Sequence, residues 1–290
     1  LGFYLPGEAL LAGLLSAYFQ DGVKDPSRGF SASYAAAGIS GKWNPRPGHY
    51  LELALGFRHW FFAASGDTDP GFALPADTWV LEPRVRYTYW GVKHGPSWRD
   101  RHRLFPRVRG VAFGFELGAD VRGENVRWGG TPQDRRNDPG EAGFTARQWL
   151  LYGLQIMDRV RTQVRQEALI SAGLDDLNRS IVGGLNPYVV PLAGAPWAAF
   201  RSHQHLALRW SWHFRLYDQL EAGLMGDLIW LDDPSRNGSR DMGVQAGPGP
   251  VADWRLGPFP IDVGVGWCPN LQGEAGGSLG GRAALGGEGG

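Results

Sequence analysis

An all-β fold, one antiparallel meander of about twelve strands (range about 10–14) closed into a barrel, is what this sequence predicts. Three observations carry the prediction. Apolar and polar residues alternate over long stretches; the polar members include many glycines and both signs of charge; and tryptophans gather near the ends of the stretches. The chain has 290 residues, 44 of them glycine and 13 tryptophan. A barrel with a crowded interior and aromatic girdles uses both in quantity.

The clearest element is HLALRWSWHFRL, residues 205–216. Successive side chains of a strand point to opposite faces. Leu206, Leu208, Trp210, Trp212, Phe214 and Leu216 therefore share one face, and His205, Ala207, Arg209, Ser211, His213 and Arg215 the other. HYLELALGFRHWF (49–61), TWVLEPRVRYTYW (78–90), RGVAFGFELGADVR (109–122), LEAGLMGDLIW (220–230) and FPIDVGVGW (259–267) repeat the pattern, and helical spacing fits none of them. Strands are expected at 29–43, 48–62, 78–91, 108–122, 146–158, 160–174, 179–190, 203–215, 217–231, 242–256, 258–268 and 276–286. Residues 1–28 form an N-terminal strand or a short helix or plug, because Leu10, Leu11, Leu14, Leu15 and Tyr18 also fit a helix face. Through IMDRVRT (156–162) the apolar parity runs unbroken, so 146–174 is one bent strand or a hairpin with an odd loop. The Gly-rich segment 273–290 is a linker or a weak last strand. The whole span 1–290 reads as a single barrel domain.

Connections alternate in character. NPRPG (44–48), RLYDQ (215–219) and LGPFP (256–260) are tight turns, whereas 64–77, 123–146 and 232–241 are long and polar. Short turns on one side of a membrane and long loops on the other match a membrane barrel. The connection 92–107, GVKHGPSWRDRHRLFP with its flank, breaks the rule by being long on the short side.

Which face points inward follows from three features. Soluble strands usually run about five or six residues, and these alternate for longer, as a tilted crossing of hydrocarbon requires. The polar face holds Gly114, Gly118, Gly223, Gly264 and Gly266, and glycine weakens a solvent-facing strand but suits a crowded lumen. Trp79, Trp149, Trp230, Trp254 and Trp267 lie near strand ends, where aromatic girdles sit. The greasy faces therefore point to lipid. The competing reading is a soluble two-sheet sandwich with those faces as its core.

With these features the chain resembles Gram-negative outer-membrane β-barrel proteins of the roughly twelve-stranded, porin-like class. The resemblance implies a bacterial outer-membrane location, with the leader removed from this chain, and contact with outer-membrane lipid and lipopolysaccharide. A C-terminal aromatic, common in such proteins, is missing.

On this reading the lumen is lined by Arg84, Arg86, Glu116, Asp120, Arg122, Arg161, Arg165, His205, Arg209, His213, Arg215, Glu221 and Asp227. Two functions compete. The charged ladders either bound a water-filled channel for small polar solutes, or pair into a network that fills the barrel of an anchor subunit in a secretion, export or motility complex. In the second case other envelope proteins are the partners. Formal net charge is zero, so no nucleic-acid footprint is visible.

Chemistry has weaker signals. His203 and His205 share a face, but a third metal ligand is needed, and neither metal nor cofactor is expected. Ser211 and His213, with Asp227 one strand away, raise a lipid hydrolase as a minor alternative, although they fall on the inner face. Two Asp- and Asn-rich loops miss calcium-loop spacing, and Cys268 has no partner cysteine. The chain is not expected to be an enzyme.

Overall fold

The computed structural model describes residues 13–16, 19–20, 23–24, 27, 29–92, 109–124, 126–129, 136–137, 140–174, 180–182, 190, 192, 200–217, 220–232, 242–256, 259–264 and 281–283. Twelve strands join in chain order into one sheet. They are β1 Gly13–Ser16, β2 Gly29–Arg46, β3 His49–Ala64, β4 Thr78–Trp90, β5 Gly110–Arg122, β6 Ala142–Met157, β7 Val160–Ala172, β8 Gln204–Tyr217, β9 Leu220–Asp232, β10 Met242–Leu256, β11 Phe259–Gly264 and β12 Gly281–Ala283. Every neighbouring pair is antiparallel. The nine strands β2 to β10 run 13 to 18 residues. About nine to eleven tilted residues cross a hydrocarbon core, so each of them is long enough.

Four connections at one end of the sheet are two residues long: 47–48, 158–159, 218–219 and 257–258. Gly48 in the first has φ 81°, and its carbonyl accepts a 2.6 Å hydrogen bond from Trp90 N, so a side chain there would strain the turn and strike β4. Three of these hairpins share a register shift: between Trp43 and Arg46, between Gln155 and Met157, and between Arg215 and Tyr217. A two-residue turn between fully registered strands would reverse the odd–even parity of the outward residues. One bulged residue restores it. That is why the apolar parity runs unbroken through 156–162: the segment is a hairpin with a bulge, not one bent strand.

The strand β8 decides the question of faces. His205, Ala207, Arg209, Ser211 and His213 are buried, whereas Leu206, Leu208, Trp210, Trp212 and Phe214 are exposed. Trp212 is 47% exposed and the adjacent His213 0%. A soluble sandwich would bury the tryptophans and hydrate the arginine. The same inversion recurs at Leu53, Leu55 and Phe57, at Phe115 and Leu117, and at Leu224 and Leu228, all exposed. So wide an exposed apolar surface marks contact with lipid or another protein.

At the opposite, long-loop end, residues of three connections pack on the inward faces in two clusters. Phe72 and Trp128 pack on Phe30 and Ala32, with Trp60 and Phe62 beside them. Val182, Val190 and Leu192 pack on the inward-facing Ala207, Ile229 and Leu231. Apolar clusters thus close over the inner wall on the loop side.

Several expectations need correction. Of the expected strand 179–190, the described Ser180–Val182 joins not the wall but Phe200–Ser202, in a separate two-stranded sheet, and residues 179 and 183–189 lie outside the described residues. Its Val182 and Val190 belong to the cluster just described. The twelfth strand comes instead from the ambiguous N-terminal stretch, where Gly13–Ser16 pairs with β2 as wall. Residues 8–12 and 17–18 lie outside the described residues, as do most of 273–290 and the connection 93–108. Strand 276–286 contracts to Gly281–Ala283, and 258–268 to Phe259–Gly264 among the described residues.

Candidate functional site: the charged inner wall

Alternation along β3 to β9 delivers charged side chains to one face, and the antiparallel register sets them in rows. On β3, β4 and β5 the row is Glu52, Arg86 and Glu116, which are direct partners across the ladder. Arg86 Nε donates to Glu116 Oε2 at 2.7 Å, and Arg86 Nη1 lies 3.6 Å from Glu52 Oε2. Arg84 sits between Glu82 and Glu116, at 3.7 and 3.6 Å. Arg58 reaches Glu82 at 3.4 Å and lies over the rings of Tyr34 and Trp60. This side of the wall is partly open: the Arg84 and Arg86 side chains are 40% and 45% exposed.

Across β7 to β9 two ion pairs are buried. Arg209 on β8 stands directly opposite Asp227 on β9 and donates from Nε and Nη2 to its two carboxylate oxygens. This bidentate, charge-assisted geometry is the strong form of an arginine–carboxylate pair. Arg161 Nε donates to Glu221 Oε2 at 2.7 Å, and Arg215 approaches the other oxygen at 3.8 Å. The Asp227 and Glu221 side chains are 1% and 2% exposed. Asp120 and Arg122 are also inward and buried. His205 is buried at the height of Leu169 and Leu231, its partners in the ladder.

The hydrolase alternative meets the geometry halfway. His213 Nε2 and Ser211 Oγ lie 3.0 Å apart, both buried. Asp227, however, gives both its oxygens to Arg209, so the acid of a triad is already engaged. His203 Nδ1 lies 3.3 Å from Ser171 Oγ on β7, and no cluster of three metal-ligating side chains occurs among the described residues.

The girdle residues divide. Trp79 and Trp230 are outward and exposed at the loop end of β4 and β9. Trp254 holds the register position opposite Leu220, and Trp267 lies outside the described residues. Trp149 is a correction. It is the ladder partner of Gly114 and Glu167, so it faces inward, and its indole fills the space a Cβ on Gly114 would take. Its position near a strand end suggested a girdle; its parity, shared with Arg147, places it inside. We expect Gly114→Val to destabilise the fold by about 1–3 kcal/mol by overpacking against Trp149, and denaturant unfolding would measure it. An unchanged midpoint would mean that Trp149 does not occupy that space.

Sequence reasoning missed an outward aromatic group at the tight-turn end. His49 Nδ1 hydrogen-bonds Tyr87 Oη at 2.7 Å, and Tyr89 lies between His49 and Phe113, with ring centroids 4.8 and 5.2 Å away. Following outward parity to the strand ends, instead of searching for tryptophan alone, would have found it. Arg147 on β6 was missed as well.

Fold and site together define an all-β antiparallel sheet of the kind that forms membrane β-barrels, with a charged inner and an apolar outer face. Among solved structures, the chain is similar to BamA from Haemophilus ducreyi lacking POTRA domains 1–3, with TM-score 0.63 and 9% identity over 88% of this chain. It is also similar to CdiB from Acinetobacter baumannii, with TM-score 0.51 and 10% identity over 83% of this chain. The chain spans 54% of that BamA structure and 39% of that CdiB structure. No protein-family description matches the chain, and no curated protein matches it in sequence.

Proposed function

We propose that this chain is an outer-membrane β-barrel that belongs with insertase- and translocon-type barrels such as BamA and CdiB, not with solute porins. In this reading its strands close into a ring, its outer face meets lipid and lipopolysaccharide, and it serves an envelope complex by holding or handling other envelope proteins. The observation that carries the reading is the burial of charged pairs on the β7–β9 side. Buried Arg209–Asp227 and Arg161–Glu221 pairs occupy it, and Val182, Val190 and Leu192 cover it from the loop end. A conducting pore keeps its charged wall in water. Similarity of fold to BamA and CdiB supports the same choice.

A solute channel is the second reading. What favours it is the partly open Arg84 and Arg86 on the β3–β5 side. Single-channel recording in a planar bilayer separates the two. We expect silence from protein shown to be inserted. Stable, discrete openings would replace this proposal with the channel.

The connection 93–108 supplies the natural docking element, since the strand bounds leave only two residues each for the connections 47–48, 158–159, 218–219 and 257–258. It carries Lys93, Arg99, Arg101, Arg103 and Arg107 against Asp100 alone. Replacing it by a short Gly-Ser linker should remove partners from a cross-linked envelope pull-down while leaving the barrel folded. An unchanged set of partners would argue that docking happens elsewhere.

A further inference from the structure

Gln148 on β6 and Gln166 on β7 stand on the apolar side of the wall. Their chain neighbours Arg147, Trp149, Arg165 and Glu167 hold the inward positions, so both glutamines point outward. Gln148 is opposite Phe115 and Gln166 opposite Leu208, two exposed apolar residues of the outer face. Both glutamines lie at least six residues from either end of their strands. Away from the strand ends, the other outward residues of β4 to β9 are apolar or aromatic, Thr162 excepted. The Thr162 hydroxyl donates to Ser211 O at 3.1 Å.

The two amides meet on the diagonal of the ladder, since Gln148 pairs with Ala168 and Gln166 with Leu150. Gln166 Nε2 donates to Gln148 Oε1 at 3.0 Å, and neither amide has a further partner among the described residues. A side-chain amide carries two N–H donors and a carbonyl that accepts twice. Both N–H groups of Gln148 and the carbonyl of Gln166 are therefore left over. Water would solvate them. Hydrocarbon does not, and an unmet amide group there is expensive. A polar side chain held at such a position points to contact with something other than lipid.

Symmetry says what fits. Two copies inserted the same way round in one membrane form a closed pair about a two-fold axis along the membrane normal. Rotation about that axis keeps every atom at its depth. The bonded amide atoms are 3.0 Å apart, so they lie within that distance of one depth. β6 and β7 are neighbours, so the rotation sets β6 of one copy against β7 of the other. The leftover donors are on β6 and the leftover acceptor is on β7, which makes this patch complementary to itself. The adjoining outward residues Ala146 and Ala168 are small and let a second wall approach the amides.

We propose that the outer face of β6 and β7 around Gln148 and Gln166 is the interface with a second copy of this chain inside the membrane, closed by two amide hydrogen bonds across the axis. The proposal rests on the outer-membrane barrel reading, because only in lipid do the leftover amide groups need a partner.

The test uses the full chain in vesicles of phosphatidylethanolamine and phosphatidylglycerol, with folding checked by heat-modifiable gel mobility. Self-association is read from energy transfer between donor- and acceptor-labelled copies as lipid is added. Transfer should persist on dilution. Gln148→Leu with Gln166→Leu should weaken association by about tenfold or more, while the barrel folds and inserts as before, since leucine suits this face. Photo-cross-linking in native outer membranes then identifies the neighbour, with Leu150, outward and opposite Gln166, replaced by benzoyl-phenylalanine. A product joining two copies supports the interface. Lipid adducts alone, or a product with a different protein alone, would overturn the second copy as the occupant. Equal self-cross-linking from Leu224 on the exposed face of β9 would overturn it too, by showing unspecific crowding. So would an inserted monomer at every dilution, or unchanged association in the double Leu variant. Failure of the barrel reading is distinct: the wild-type chain would not insert into the vesicles at all, and the interface would fall with it.

Discussion

Leu117→Arg is expected to cost about 2–4 kcal/mol of stability when the protein is unfolded by denaturant from lipid vesicles. Leu117 lies in the middle of β5, points outward and is 62% exposed. In water, an exposed Leu→Arg change away from special features stays within about 0.5 kcal/mol. In a bilayer the same change drives a cation into hydrocarbon at the midplane. The cost should depend on depth. Trp230→Arg, near the loop end of β9 and 48% exposed, should lose only about 0–1 kcal/mol by the same depth rule, beyond what the lost ring contacts contribute. Equal, small losses at both positions would mean that the outer face does not meet lipid, and the soluble sandwich would return.

Asp227→Ala is the second large effect. It would strand Arg209, whose side chain is 8% exposed, without the carboxylate that takes two of its N–H groups. Removing one partner of a buried pair typically costs about 3–5 kcal/mol, mostly from the uncompensated charge left behind. The double substitution Arg209→Met with Asp227→Leu should recover most of that loss, since apolar replacements of similar volume are often neutral or stabilising. A double-mutant cycle on unfolding free energies gives the coupling. If Asp227→Ala unfolds like wild type, the pair is wet, and the burial of charged pairs that carries the functional proposal is gone. The neighbouring Arg161–Glu221 pair, with side chains 9% and 2% exposed, offers an independent repeat.

Strand positions were legible because period-two alternation is a local property of the chain. Residues 78–91, 108–122 and 242–256 were placed within two residues of β4, β5 and β10. The segment 179–190 misled because apolar residues that cover a cluster look like apolar residues that face lipid. Only packing against Ala207, Ile229 and Leu231 tells them apart. The N-terminal stretch stayed open between strand and helix, because four residues, Gly13–Ser16, are too few to show a period. Bulges were illegible as bulges, yet their effect, the unbroken parity through 156–162, was on view in the sequence.

At the site, membership of the inner face was readable from parity for Arg209, His213, Glu221 and Asp227. Pairing was not, because which residue faces which depends on register between strands. One shifted residue would set Arg209 against a different partner and leave two buried charges unpaired.

What amino-acid order determined, then, is which side chains share a face, how long the strands are and where tight turns fall, since alternation and turn chemistry act over a few residues. Tertiary structure decided which face is buried, which arginine meets which carboxylate and which loops close over the wall. Those outcomes depend on contacts between residues such as Arg161 and Glu221, 60 positions apart, whose meeting is set by the register of the strands that lie between them.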